Sequence, residues 1–136
     1  MPGSPARGWA KVRTGGTTMS SFKEYSDYDA IGLAELLKRG DVSPIEVTEA
    51  AIERVERLNP TLNAVVHKLY DRARERARRP FAHGRTLGGV PMLLKDLLSP
   101  LAGAPFTSGS RFYKDVVCDY DAELVCRCER AGLNIV

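Results

Sequence analysis

The chain has 136 residues, of which 43% are hydrophobic and 27% charged, the balance of one globular domain. Its net charge of +3 is local: residues 1–23 hold Arg7, Lys11, Arg13 and Lys23 and no acid, and the rest carries 16 basic against 17 acidic side chains, which excludes a broad electrostatic footprint for nucleic acid. No apolar run reaches the ~18 residues of a membrane span, and the N-terminus lacks the apolar stretch of a secretory signal, so neither is expected.

Residues 1–18 are rich in Gly, Pro, Thr and Arg and read as disordered, with Met19 as the expected natural start. The basic, disordered extension is taken as residues 1–22 and the folded part as residues 23–136. A first helix is expected over residues 30–39: Asp29 can cap it, Leu33, Leu36 and Leu37 form an i, i+3, i+4 stripe, and Gly40 supplies the stop. The second helix opens on Ser43-Pro44-Ile45-Glu46, a capping box with proline at the first helical position. Val47, Ala51, Val55 and Leu58 share one of its faces, and Asn59-Pro60 is expected to end it. Residues 62–67 form a short strand candidate centred on Ala64-Val65-Val66.

A third helix is expected over residues 70–79, stopped by Pro80. Arg72, Arg76 and Arg79 share a face there; without interleaved aromatics to stack bases, they read as a solvated helix face. After a loop comes Gly88-Gly89-Val90-Pro91-Met92-Leu93-Leu94-Lys95-Asp96. This apolar run, bounded by turn residues, reads as a buried strand over residues 90–95. A lysine at its end is physically unusual, because burial disfavours the charged form, and a lysine that is neutral near pH 7 can act as a base. Asp96 reads as a partner of Lys95 or a turn residue.

Residues 97–110 form a long connection, and loops of that length are often functional; Thr107-Ser108-Gly109-Ser110 within it reads as a turn. A fourth helix is expected over residues 121–131, with Asp119 as its cap and Gly132 closing it, before a last strand at residues 133–136. Cys118, Cys126 and Cys128 match no zinc or redox spacing and fit a reducing cytoplasm, and His67 and His83 stand without partners at metal-ligand spacing. Strands separated by helices imply an α/β fold with partly parallel pairing, here a narrow, incomplete mixed β-sheet with one side uncovered.

The stretch from Gly88 to Asp96 resembles the lysine strand of the amidase signature family. Three further stretches agree in order. Residues 33–58, with Arg39-Gly40-Asp41-Val42-Ser43-Pro44, are similar to the family's N-terminal helix pair. Residues 58–65 are similar to the turn and strand that come next in the family. Residues 102–111 and 119–125 are similar to the segment after the lysine. The resemblance covers residues 28–136 and implies the N-terminal part of the amidase-signature fold.

It also implies a Ser–cis-Ser–Lys triad that cleaves carbon–nitrogen amide bonds, with Lys95 as the lysine that takes a proton from a bridging serine. No metal or organic cofactor is implied. The family's two serines lie beyond the sequence position of Val136, and Ser99, Ser108 and Ser110 do not match their loop. The expectation is therefore a truncated amidase, inactive alone, that takes a small amide substrate once completed. The alternative is a non-catalytic remnant that binds a partner such as the rest of a split amidase.

Overall fold

A computed structural model describes residues 22–81 and 84–136. Nearly all of the expected N-terminal extension, Met19 and His83 lie outside the described residues. A short 3-10 helix, Lys23–Asp27, leads into α1, Ala30–Arg39. The Asp29 carboxylate accepts from the Gly32 amide at 2.8 Å and Gly40 closes the helix in the left-handed region, as the sequence indicates. The leucine stripe is buried at Leu33 and Leu36.

Helix α2, Pro44–Leu62, opens with a complete capping box: the Ser43 amide donates to the Glu46 carboxylate at 2.8 Å, and the Glu46 amide donates back to the Ser43 hydroxyl. The helix does not stop before Pro60. It runs to Leu62 because Asn59 organises the residues beyond it: its side-chain oxygen accepts from the Ala64 and Val65 amides, and its side-chain amide donates to the Val65 carbonyl at 2.9 Å. Asn63 caps the end in a left-handed conformation. The strand expected at residues 62–67 is absent. Those residues finish α2 and then run as a connection whose amides are satisfied by a side chain instead of a neighbouring strand.

Helix α3 spans Tyr70–Arg78 and packs on α2 through Ala73, which is fully buried, and Ile52. Across the rim, Arg74 donates two bonds to Glu49 at 2.8 and 3.0 Å, and Tyr70 donates to Glu56 at 2.7 Å. Burial, with that bond to Glu56, pushes the Tyr70 phenol up to about 12.

The two strands are short. β1 is Pro91–Met92 and β2 is Asn134–Ile135, paired in parallel with Pro91 opposite Asn134 and Met92 opposite Ile135. Between them lie a long connection, a second 3-10 helix at Arg111–Tyr113, and α4, Glu123–Ala131. The connection folds back on itself at an isolated antiparallel bridge between Pro105 and Val117. Asp119 does not cap α4. The helix starts after Ala122 without a side-chain cap, and the neighbouring Asp121 instead accepts from the Ala102 amide at 2.7 Å. The parallel pairing and the alternation of helix and strand agree with the expected α/β class.

Each strand is anchored by helices. Leu33, Val47 and Val90 form one buried cluster; Ile52, Ala73 and Val136 a second; Leu101, Ala104, Val125 and Ile135 a third. Asn134, although polar, is buried at the junction and donates to the Thr48 hydroxyl at 2.9 Å and the Ala73 carbonyl at 3.1 Å.

Candidate active site around Lys95

Glycine at position 132 lets the end of α4 pack directly on the turn before β1. Gly132 closes α4 with φ +97°, and a Cβ there would stand 2.7 Å from the Gly88 Cα. The Leu87 amide donates to Ala131 and the Gly89 amide to the Gly132 carbonyl at 2.8 Å, so the turn before β1 is stitched to the end of α4. Arg85 reaches the same helix end and donates to the Glu129 and Arg130 carbonyls. The pairing continues where the Asn134 amide donates to Val90 and the Val136 amide to Met92. This frame aims the chain from Met92 toward Lys95.

Lys95 is exposed, and no carboxylate pairs with it among the described residues. This corrects the expectation of a buried strand over residues 90–95. Hydrogen-bonded pairing ends at Met92, and among the described residues β1 has a neighbour on one side only, so Leu93 and Lys95 emerge into the open.

Asp96 turns away from the role of counterion. Its carboxylate accepts from the Thr107 amide at 2.8 Å, the Ser108 amide at 3.2 Å and the Thr107 hydroxyl. Burial pushes the Asp96 carboxyl up, but the bonds from the Thr107 hydroxyl and the two amides, with His67 close by, outweigh burial and hold it below the ordinary carboxylate range. Asp96 thus ties the segment after Lys95 to the Thr107–Ser108 turn.

Lys95 and Asp96 line a cavity of about 170 Å³ together with His67, Ser99, Leu101 and Phe106. His67 comes from the connection between α2 and α3, and its Nε2 lies 3.8 Å from the Asp96 carboxylate, buried and without a hydrogen-bond partner. Nothing in the sequence spacing of His67 marks it; only the fold brings it beside Asp96. Among the serines near Lys95, the Ser99 hydroxyl faces the Leu97 carbonyl at 3.5 Å, the Ser110 hydroxyl accepts from the Phe112 amide at the start of the 3-10 helix, and Ser108 engages Asp96 through its backbone amide. The cavity therefore offers an accessible amine beside an anchored carboxylate.

Residues 46–136 match the model of the family described as Amidase. The chain belongs to the amidase family. The match contains β1, Lys95, Asp96 and the whole cavity wall around them. Among curated amidase relatives, the chain is 40% identical over 113 residues to the 6-aminohexanoate-cyclic-dimer hydrolase of Pseudomonas sp. strain NK87, covering 79% of this chain and 22% of that protein. It is 40% identical over 106 residues to a glutamyl-tRNA(Gln) amidotransferase chain of Moorella thermoacetica, covering 74% of this chain and 22% of that protein.

The fold agrees. A solved structure of 6-aminohexanoate cyclic dimer hydrolase with substrate superposes with a TM-score of 0.74 at 35% identity, over 80% of this chain and 22% of that one. A bacterial aryl acylamidase of the amidase signature family superposes with a TM-score of 0.71 at 33% identity, over 80% and 24%. The chain thus spans about a fifth of the length of the curated amidases it matches, in their N-terminal part. No helix among the described residues is long and apolar enough to cross a membrane.

Proposed function

We propose that this chain supplies the lysine base of an amide hydrolase. Lys95 takes a proton from a bridging serine, which in turn deprotonates the serine that attacks the amide carbonyl. An acyl-enzyme forms, the amine leaves with a proton, and water releases the acid. Both serines belong to the larger part of the amidase fold, beyond the fifth that this chain spans. The observation that carries this reading is the position of Lys95: three residues past the parallel pair, without a carboxylate partner among the described residues, at the rim of a cavity inside the family match. Covering that rim would desolvate the ammonium and favour its neutral, basic form.

A second reading is a non-catalytic chain that binds the remainder of an amidase. An open apolar groove of about 260 Å³ favours it. The groove is lined by Ala51, Val55, Leu58 and Leu62 of α2 with Met92 and Leu93. It lies between α2 and the strand segments, with Val136 also in its wall, and among the described residues the other edge of β1 has no strand partner. One experiment separates the two readings. The chain is mixed with the separately produced remainder of 6-aminohexanoate-cyclic-dimer hydrolase, and binding and amide cleavage are followed together. Binding with cleavage that Lys95→Ala abolishes supports the catalytic reading. Binding without cleavage supports the second, and absence of binding overturns the second.

A further inference from the structure

We propose that the cavity between α3 and the α4–β2 turn is a binding site for a small oxyanion, a carboxylate or a phosphate, held by the guanidinium of Arg76. This site is separate from the Lys95 cavity and does not depend on the amide-hydrolysis reading. The cavity measures about 260 Å³, and Arg72, Arg76 and Arg79 of α3 line it with Glu75 and Glu129. Both acids are already engaged. Glu129 accepts from Arg72 at 3.1 Å, and Glu75 pairs with Arg79. Arg76 alone among these arginines has no carboxylate or carbonyl partner among the described residues.

Arg76 is nonetheless held in place. Its guanidinium carbon lies 3.9 Å from the centre of the Phe81 ring, so the ring covers one face of the cation. A stacked guanidinium keeps its donors in one plane, and that rigid fork matches the two oxygens of a carboxylate or phosphate. The charge count favours an anion: three arginines line the cavity against two acids, and Arg85 acts on Arg76 as a further positive charge. Burial first, then the charges of Arg85 and Arg79, push the Arg76 guanidinium below its ordinary range, with Glu129 offsetting in part. An anion seated at Arg76 would relieve that crowding of like charge. A solvated helix face, the reading from sequence, does not require the Phe81 stack.

The test is a titration of the full 136-residue chain with inorganic phosphate and, in a second arm, acetate, at ionic strength held constant with chloride, following the Arg76 side-chain N–H resonance. The expected result is a saturable shift that Arg76→Lys weakens about tenfold while the fold, read by circular dichroism, is kept, because lysine retains the charge and loses the fork. Tighter phosphate binding assigns a phosphate ligand, and equal or tighter acetate binding a carboxylate. As a measurement on the unmodified chain, phosphate or acetate should slow the reaction of phenylglyoxal with Arg76 more than with the exposed Arg111. A shift that chloride alone reproduces, undiminished binding by Arg76→Lys, or equal protection of Arg76 and Arg111 would overturn the proposal.

Discussion

Gly132 and Gly40 both close helices with φ in the left-handed region, +97° and +77°, yet they do different work. Gly40 has open space where a Cβ would be, whereas Gly132 has the Gly88 backbone. Gly40→Ala should therefore cost only the conformational penalty, about 1–2 kcal/mol. Gly132→Ala adds a backbone clash and should cost about 2–5 kcal/mol. Urea unfolding of the two variants checks this, and equal losses would contradict the account of the Gly88–Gly132 contact.

Asp96 gives the pH dependence at this scale. Its carboxyl is held below its ordinary value, so its stabilising bonds are fully present above the unfolded-state value of about 3.9 and are lost as pH falls through the lower folded value. Hydrogen exchange at the Thr107 and Ser108 amides should speed up through that acid window. Asp96→Asn should show fast exchange already at neutral pH, since an amide oxygen accepts more weakly than a carboxylate. Protection that persists unchanged into strong acid would count against this. Lys95 and Asp96 stood out in the sequence because charges at the end of an apolar run are unusual. His67 did not, because its proximity to Asp96 arises from the path of the connection after α2 and not from any local pattern.

Among the elements, α1 was legible because the cap, stripe and stop all lie within twelve residues of sequence, from Asp29 to Gly40. The end of α2 was not. The rule that proline disfavours helix in the residue before it is local, and here the side chain of Asn59 offsets it by holding the Ala64 and Val65 amides. The strands were over-read for a related reason. Apolar runs such as residues 62–67 and 90–95 look like strands, but strand formation needs a hydrogen-bonded neighbour, which within these two runs only Pro91–Met92 finds, against Asn134–Ile135. Asn134 is the polar pin of that pair. Asn134→Ala removes the bonds to the Thr48 hydroxyl and the Ala73 carbonyl and opens a small void, so it should cost about 2–4 kcal/mol. A loss under about 0.5 kcal/mol would place the pin elsewhere.

For the whole molecule, the apolar face of α2 is half covered. Val47 and Ala51 are buried, while Leu58 is 40% and Leu62 64% exposed, and Leu93 beside them is 51% exposed. That face was readable from periodicity; that its second half lacks a cover was not, because periodicity shows which face is apolar but not what packs on it. Contiguous apolar surface beside an open strand edge promotes association. The isolated chain should form larger species as concentration rises in sedimentation velocity, and Leu62→Lys should reduce this without loss of helix content. A chain that stays monomeric at all concentrations would contradict it.

The central claim is that Lys95 is the base of an amidase whose serines lie in the rest of the fold. The measurement that tests it most directly is amide hydrolysis by this chain joined after Val136 to the remaining part of 6-aminohexanoate-cyclic-dimer hydrolase. The joined protein should cleave its amide substrate, Lys95→Ala should lower kcat by at least about a thousandfold, as expected for one member of a catalytic unit, and the exposed control Lys114→Ala should leave it unchanged. A folded joined protein that hydrolyses the amide equally well with Lys95→Ala would contradict the claim.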